Sequence, residues 1–204
     1  MNIIRGLHNL TKHSGSVVTI GNFDGVHIGH QHIITRLIEQ SKLLGLPSVL
    51  ISFSPTPQSF FGHDSATLSS FKEKHQLLKQ LGLDTHLIIK FDQNFSKLSA
   101  EAFIQKILVD KLNMRFCLIG DDFRFGAGRT GDFKLLQSHA LKKGFEIEST
   151  DSVLCDNHRA SSSTIRYFLS QGEFKSAANM LGREFCITGK IIYGKQLGRT
   201  IDFP

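Results

Sequence analysis

Short apolar runs of strand length alternate along this chain with segments of helical periodicity. The runs that predict β-strands are residues 17–20, 48–53, 86–90, 116–119 and 145–148. The helical patterns are residues 30–44, 70–81, 99–112, 133–143, 161–171 and 174–181. Because such alternation produces a parallel sheet with helices on both faces, we predict an α/β fold. Ligands of these sheets bind outside the carboxyl ends of the strands.

The composition is that of a chain that can bury a full core. It has 204 residues, of which 40% are hydrophobic and 21% are charged. No apolar run approaches the roughly 20 residues needed to span a bilayer, and the first residues lack the apolar stretch of a signal peptide. Cys117, Cys155 and Cys186 form no C-x-x-C pair, which indicates reduced thiols. We therefore expect a cytoplasmic protein without a membrane partner.

The formal charge of +6 favours anionic ligands without deciding between them. Lysines and arginines are scattered, with no dense basic run and no interleaved aromatic signature of nucleic-acid binding. A field that attracts small polyphosphates accounts for the charge equally well. We expect small-molecule substrates and no nucleic-acid partner, and the oligomeric state does not follow from the sequence.

A glycine- and histidine-rich stretch connects the first predicted strand to the first predicted helix. It reads Gly21-Asn22-Phe23-Asp24-Gly25-Val26-His27-Ile28-Gly29-His30. Small residues let the backbone approach a ligand, and two imidazoles three positions apart face the same spot. The helix that begins there points its N–H groups and the positive end of its dipole outward. These features predict a phosphate site for a nucleoside triphosphate.

Two other interpretations of this stretch remain open at this point. His27 and His30 could be partly buried structural histidines at a helix start. They could also bind zinc together with His32, although zinc needs three or four ligands and the nearest cysteine in sequence is Cys117. The regularly spaced glycines and the polar residues between them favour the phosphate site over both.

A second glycine-rich segment follows the fourth predicted strand, also at the ligand edge. It reads Gly120-Asp121-Asp122-Phe123-Arg124-Phe125-Gly126 and continues to Asp132. Gly126, Gly128 and Gly131 match G-x-G-x-x-G, but this fingerprint should directly follow its strand and open the first βα unit. A redox dinucleotide site is therefore not predicted. The alternative is a glycine-rich turn with two packed phenylalanines.

A serine run begins the helix predicted at 161–171. It reads Ser161-Ser162-Ser163-Thr164-Ile165-Arg166. A serine at this position is first of all a helix cap. Arg166 stands one turn into the helix, so hydroxyls, backbone donors and a guanidinium gather at one end. This combination predicts a triphosphate clamp.

These three segments resemble known motifs. The first resembles the H-x-G-H signature of the nucleotidyltransferase superfamily, which includes class I aminoacyl-tRNA synthetases. Phe23-Asp24-Gly25 stands before this signature, the second segment resembles G-x-D-F-x-F-G followed by R-x-G-D, and the third resembles S-S-T-x-I-R. Taken together, these motifs resemble the adenylyltransferase module of bacterial FAD synthetases. Ser163 stands where that family has threonine. The resemblance implies a Rossmann-like nucleotidyltransferase fold that joins ATP and FMN into FAD and pyrophosphate. It implies Mg²⁺ held mainly by the substrate phosphates, with no metal ligand from the protein.

The resemblance also implies three groups of site residues. The residues implied in catalysis are His27, His30 and Arg166. Those implied around ATP are Gly21, Asn22, Phe23, Asp24, Gly29, Ser161 and Ser162. Those implied around FMN are Pro55, Asp122, Phe123, Arg124 and Phe125.

The last residues resemble the opening strand and turn of a riboflavin kinase barrel, with Asp202 in place of the glycine of a G-x-P-T-A-N motif. The resemblance is thus to bifunctional riboflavin kinase/FAD synthetases. It implies an adenylyltransferase domain at 1–158, a short helical linker at 159–182 and an incomplete β-barrel segment at 183–204. Riboflavin phosphorylation is expected only of a longer parent chain.

Rival functions differ in what they require. Another adenylyltransferase or cytidylyltransferase would share the H-x-G-H motif but lack the segment around Asp122. A tRNA synthetase would need a much longer chain and a K-M-S-K-S-like loop, which the sequence lacks. A non-catalytic nucleotide-binding module on the same fold remains open.

Overall fold

The computed structural model describes residues 1–11, 13–63, 65–155, 158–190 and 194. The strands are β1 (Asn2–Arg5), β2 (Ser16–Ile20), β3 (Ser48–Ser54), β4 (Thr85–Lys90), β5 (Met114–Gly120), β6 (Glu146–Thr150), β7 (Leu154–Cys155) and β8 (His158–Arg159). The α-helices are α1 (Ile28–Leu44), α2 (Pro57–Phe60), α3 (Phe71–Gln80), α4 (Gln93–Ser96), α5 (Ala100–Phe103), α6 (Phe133–Lys143), α7 (Ser162–Ser170) and α8 (Phe174–Leu181). None of these helices is long and apolar enough to cross a membrane.

The first six strands form one parallel sheet in the order β1-β4-β3-β2-β5-β6. The α/β prediction is confirmed, and each of the five predicted strands is present within a few residues of its expected bounds. Strand β1 was not predicted. It is a short edge strand that pairs with β4 from Asn2↔Thr85 onward, and most of its residues are exposed, so it lacks the apolar run of the central strands. The small hairpin of β7 and β8 was also missed.

The strand order creates a switch point beside β2. From β2 the chain moves outward through β3 and β4, and it later returns to the other side of β2 as β5 and then β6. Strands β2 and β5 are direct neighbours, with Val18 opposite Cys117. Their carboxyl ends therefore lie side by side, which is where open α/β sheets bind ligands.

Side chains from alternate strand positions form a separate core on each face of the sheet. On one face Val17, Leu50 and Leu118 pack against α1 and α3. On the other face Val18 and Ile51 belong to the core that also holds α5, α6 and the segment after α5. Because the central strands are buried on both faces, they read as continuous apolar runs in the sequence.

Local capping chemistry sets several helix ends. Ser70 and Glu73 form a reciprocal capping box at α3, and Gly144 ends α6 at a φ of 71°. The helix predicted at 99–112 is irregular, because α5 passes into a π-helical stretch at Ile104–Val109. Helix α1 begins two residues earlier than predicted, because His27 caps it.

Helices α7 and α8 pack together and form a third core. Its buried members are Leu68, Ile165, Phe168, Ala177, Met180 and Leu181. This core attaches the helix pair to the segment that precedes α3. After α8, residues 184–190 have no regular secondary structure. The rest of the predicted kinase-like segment, 191–193 and 195–204, lies outside the described residues apart from Gly194.

Candidate active site

The turn between β2 and α1 has an unusual backbone. Phe23, Gly25 and Val26 all have positive φ angles, of 50°, 79° and 43°. For a β-branched residue such as Val26 this conformation is a real outlier. Residues held in sparsely populated regions cluster at functional sites and persist only where surrounding contacts hold them.

The two histidines of the turn stack on each other. Their ring centroids are 3.6 Å apart, and the His27 Nδ1 accepts a hydrogen bond from the His30 backbone N–H at 3.4 Å. The Phe23 ring lies 4.5 Å from the His30 ring on the other side. The Nδ1 of His30 is buried and has no hydrogen-bond partner among the residues that the structure describes. Both rings are thus oriented by packing at the first turn of α1.

Burial lowers the pKa of both histidines. The pKa of His27 is lowered to about 4, because burial and the nearby Arg159 and Arg183 outweigh the opposing effect of Asp24. The pKa of His30 lies well below its usual value because of burial, and His27 and Lys74 lower it further. In the free protein both rings are therefore neutral near pH 7 and can donate or accept hydrogen bonds.

Helix α7 meets this turn directly. The Ser162 hydroxyl donates to the Asp24 carbonyl at 3.0 Å, and the Arg166 Nη2 contacts the Asp24 carboxylate at 2.5 Å. A Cβ atom placed on Gly29 would lie 3.5 Å from the Ala160 carbonyl oxygen. The structure thus brings together the two segments that the sequence analysis assigned to the triphosphate.

The predicted ATP residues also make structural contacts within the protein. The Arg166 Nε donates to the Ala66 carbonyl at 2.5 Å, so this guanidinium faces Asp24 and the loop before α3. Ser161 caps α7 by accepting from the Thr164 N–H at 3.1 Å. The Asp24 carboxylate also accepts from the Leu68 N–H at 3.1 Å.

Gly21 and Asn22 shape the start of the turn. A Cβ atom on Gly21 would lie 2.9 Å from the Phe23 ring, so the close packing of this ring requires glycine. The Asn22 side-chain amide donates to the Gln58 side chain at 3.0 Å, and the Asn22 backbone carbonyl accepts from the Lys74 ammonium at 2.7 Å. Helices α2 and α3 therefore both reach the turn.

The segment after β5 lies beside the histidine turn. Asp122 forms an ion pair with Arg159 of β8 at 2.9 Å, and Asp121 contacts the same guanidinium at 3.2 Å. Arg124 is exposed and donates to the Phe123 carbonyl at 2.9 Å. Since Arg159 also acts electrostatically on His27, it connects the two loops at the switch point.

An aromatic network joins the loop after β3 to the loop after β5. It consists of the rings of Phe60, Phe61, Phe91, Phe53, Phe95, Phe103, Phe125 and Phe123, with neighbouring centroids 5.1–6.3 Å apart. At one end the exposed Pro55 precedes α2, and at the other Phe123 is only partly buried. The two loops assigned to FMN thus lie at the two ends of one aromatic network, whose rings Phe103 and Phe125 are buried in the core.

Two of the three glycines that match G-x-G-x-x-G, Gly126 and Gly131, have packing roles. Phe125 is 8% exposed and pairs with Gly131 in an antiparallel bridge. A Cβ atom on Gly126 would lie 2.6 Å from the Ala100 nitrogen, and one on Gly131 would lie 2.7 Å from the Phe125 ring. Phe125 therefore supports the loop from inside the core.

The zinc interpretation finds no ligand set in the part of the chain that the structure describes. No group of three or more His, Cys, Asp or Glu residues there is arranged to hold a metal ion. His32 is exposed on α1, whereas Cys117 is buried in the core on the opposite face of the sheet. Burial raises the pKa of the Cys117 thiol to about 12.

Sequence reasoning missed several residues that contact the turn. Lys74 and Arg183 bring cations to the turn, and Gln31 and Ser69 supply neutral hydrogen bonds. Arg159 contacts the Asp122 loop and acts on His27 only electrostatically. The only local signals were weak: Arg159 stands just before the serine run, and Arg183 follows the glycine after α8. Their roles depend on contacts between distant parts of the chain.

The fold and this turn define an α/β protein with a Rossmann-like nucleotidyltransferase fold. The FAD synthetase family matches residues 9–164, and the chain belongs to this family. It is 42% identical over 208 residues to the bifunctional riboflavin kinase/FMN adenylyltransferase of Escherichia coli K12, covering 100% of this chain and 66% of that protein. The bifunctional riboflavin kinase/FMN adenylyltransferase of Pseudomonas fluorescens is 41% identical over 206 residues, and this match also covers 100% of this chain and 66% of the relative.

The chain thus spans about two thirds of the length of these curated relatives. A solved structure described as a macrolide-efflux protein from Streptococcus pneumoniae superimposes with a TM-score of 0.84 at 24% identity. The match covers 100% of this chain and 67% of that one, and it supports the fold alone.

Proposed function

We propose that this chain transfers the adenylyl group of ATP to FMN, making FAD and pyrophosphate. The observation that carries the proposal is the meeting of the His27–His30 turn, the serine–arginine helix α7 and the Asp122 loop at one switch point. Family membership supports it, and the relatives carry FMN adenylyltransferase in their names.

The chemical obstacle is the attack of one phosphate anion on another. In the proposed reaction an FMN phosphate oxygen attacks the α-phosphorus of ATP in line, a bond to the bridging oxygen breaks, and pyrophosphate leaves. Positioning and electrostatic stabilisation then supply most of the acceleration. The first turn of α1 offers N–H groups, and His27 and His30 offer ring nitrogens beside them. Neutral in the free protein, these rings gain basicity as phosphate charge approaches.

Asp24 and Arg166 have linked roles in this proposal. Asp24 holds the guanidinium at the edge of the site in the free protein, and an arriving triphosphate competes for it. Bidentate binding of phosphate by arginine is strong enough to make this exchange reasonable. Ser161 and Ser162 keep the start of α7 against the turn, so that the helix N-terminus faces the β- and γ-phosphates.

The flavin ring suits the apolar side chains that the loops after β3 and β5 present at the two ends of the aromatic network. These side chains are Pro55 and Phe123, and Asp122 and Arg124 bring polar groups to the same edge. Phe125 acts from beneath by supporting the loop.

Mg²⁺ is proposed to arrive with ATP. In the free protein both oxygens of the Asp24 carboxylate are engaged by Leu68 and Arg166, so this carboxylate offers no preformed site for the ion. When bound, the ion neutralises phosphate charge and steadies the leaving pyrophosphate.

We further propose that residues 1–158 bind both substrates while 159–182 add the clamp, and that 183–204 belong to a kinase-like part. The reaction is placed in the cytoplasm with small-molecule partners only, as the thiols and the scattered charge suggested.

The test is to incubate the purified chain with FMN, ATP and Mg²⁺, and to measure FAD by chromatography and pyrophosphate by a coupled assay. Equal amounts of FAD and pyrophosphate are expected, with none when CTP replaces ATP. Nucleotide binding without either product would instead support the non-catalytic module. Turnover with CTP would support a sister transferase.

A further inference from the structure

The end of α8 packs against the beginning of α1. Gly182 ends α8 at a φ of 67°, and a Cβ atom there would lie 3.2 Å from the Ile28 side chain and 3.4 Å from Gln31. The positive φ angle favours glycine here, and a larger residue would also crowd the Ile28 side chain. The next residue, Arg183, is thereby directed back along the outside of the histidine turn.

Arg183 contacts three carbonyl groups there. Its Nη2 donates to the Gly25 carbonyl at 2.6 Å, and its Nη1 donates to those of Val26 at 3.3 Å and Leu181 at 3.1 Å. The Gln31 amide donates to the same Val26 and Leu181 carbonyls, both at 2.9 Å. Two side chains therefore join the end of α8 to the two residues before His27.

These contacts constrain the direction of the peptide groups in the turn. A peptide is planar, so its N–H points opposite to its carbonyl. Holding the Val26 carbonyl at the back of the turn directs the His27 N–H to the opposite side. Gly25 and Val26 both have positive φ angles, a geometry that needs such external contacts to persist.

We propose that Arg183 is a positioning residue for adenylyl transfer: it holds the Gly25 and Val26 carbonyls behind the turn, so that His27 and His30 stay aimed at the triphosphate. The proposal rests on the proposed function for its catalytic readout. Arg183 lies beyond residues 9–164, the part matched to the FAD synthetase family, so it extends the site past the second helix of the α7–α8 pair.

Arginine suits this position because of its fork of donors. Guanidinium can reach two carbonyls at fixed angles, whereas the lysine ammonium is a single point of charge. The cation also acts on His27, whose other charged neighbours are Asp24 in the turn and Arg159 on β8. From α3, Lys74 acts on His30. Removing the charge of Arg183 should raise the pKa of His27.

The test compares Arg183→Gln and Arg183→Lys with Arg115→Gln, which changes an exposed arginine on β5. We expect Arg183→Gln to lower kcat about 10- to 100-fold, the scale of a small misplacement of reacting groups, while KM for FMN changes less than about twofold. The limb of its kcat–pH profile that reports His27 should move to higher pH. Arg183→Lys should recover part of the activity, and Arg115→Gln should match the wild type.

A merely structural role would reduce the active fraction and leave the pH profile and the kcat of folded enzyme unchanged. That result, or a fully active Arg183→Gln variant, would overturn the proposal. If the wild-type chain makes no FAD, the proposed function fails, and Arg183 is judged on Mg-ATP affinity by calorimetry. Mg-ATP affinity that is several-fold weaker in folded Arg183→Gln than in the wild type would support the proposal that Arg183 positions the turn. Equal affinity in the two proteins, or a wild type that does not bind Mg-ATP, would contradict the proposal.

Discussion

At the scale of single residues, Asp24 connects the histidine turn to helix α7 and to the segment before α3. The family resemblance implied a place for it among the ATP residues, as part of the glycine-rich stretch. In the structure its carboxylate accepts from the Leu68 N–H and pairs with Arg166, and its carbonyl accepts from Ser162. Spacing cannot show such pairing, because the partners lie 44 to 142 positions away.

The first prediction concerns His30. We expect His30→Ala to lower kcat about 10²- to 10⁴-fold, the range for the loss of one preorganised group that stabilises developing charge. His32→Ala serves as the matched control, since His32 is exposed on the same helix. Steady-state assays with circular dichroism as a folding check make the comparison. Near-normal turnover in folded His30→Ala would remove His30 from the mechanism.

The second prediction concerns His86, a buried histidine outside the site. It is 1% exposed on β4, and its Nε2 lies 2.7 Å from the Ser52 hydroxyl. Burial first, and then Lys74 and His75, lower its pKa to about 4. The unfolded chain, with the usual pKa of 6.5, binds more protons between these values, so acidification through this window lowers the free energy of unfolding.

For His86 alone this loss is about 2 kcal/mol between about pH 7 and pH 5. His86→Gln has no titrating ring but can still bond to Ser52, so its stability should depend less steeply on pH. Urea unfolding at both pH values measures the difference. The same pH dependence in variant and wild type would show that His86 does not carry this linkage.

At the scale of elements, strand and helix positions followed from periodicity, whereas irregular elements did not. The five predicted strands carry apolar runs because both faces of the sheet are covered. The π-helical stretch Ile104–Val109 has an ordinary helical pattern, so its changed hydrogen bonding was not predictable. The short edge strand β1 gains its conformation from pairing with β4 rather than from its own residues.

A prediction at this scale concerns how the loop after β5 is attached to α5. Gly126→Ala would place a Cβ 2.6 Å from the Ala100 backbone, whereas Gly128→Ala meets only the Thr130 side chain at 3.9 Å. Gly128 lies in the left-handed helical region, where alanine costs roughly 1–2 kcal/mol for backbone conformation alone. Gly126, with a ψ of 171°, lies in a region adopted almost only by glycine, where the cost is roughly 1–3 kcal/mol.

Gly126→Ala should therefore lower the free energy of unfolding further than Gly128→Ala does. It should also raise KM for FMN, because the displaced loop carries Asp122 and Phe123. Denaturant unfolding measures the loss of stability, and steady-state kinetics at varied FMN concentration measure the change in KM. Equal effects of the two substitutions would show that the contact with Ala100 does not position the loop.

At the scale of the whole molecule, strand order decides where the site forms. The loops that follow β2 and β5 are about 100 positions apart in sequence and become neighbours only because β5 pairs beside β2. Helices α7 and α8 then close over the same edge through the core around Leu68. The candidate site is thus assembled from four separate parts of the chain: the loop after β2, the loop after β5, the segment before α3, and the pair of helices α7 and α8.

The prediction at this scale follows from the formal charge of +6. Both proposed substrates are anions, so a positive field should speed their encounter with the protein. We expect kcat/KM for FMN to fall several-fold as ionic strength rises from about 0.01 M to 0.15 M, where screening shortens the reach of charge, with kcat little changed. Stopped-flow or steady-state assays in added NaCl measure this. A salt-independent kcat/KM would mean that the field plays no part in substrate capture.

The sequence by itself determined the α/β class, the principal strands and the segments proposed for the site. These depend on periodicity and on contacts between near neighbours, which are written in short stretches of chain. Only the tertiary structure decided that His27 and His30 are neutral, that Arg166 pairs with Asp24 and that Arg183 holds the turn from behind. Those properties arise from burial and from contacts across as many as 158 positions, which the folded chain alone creates.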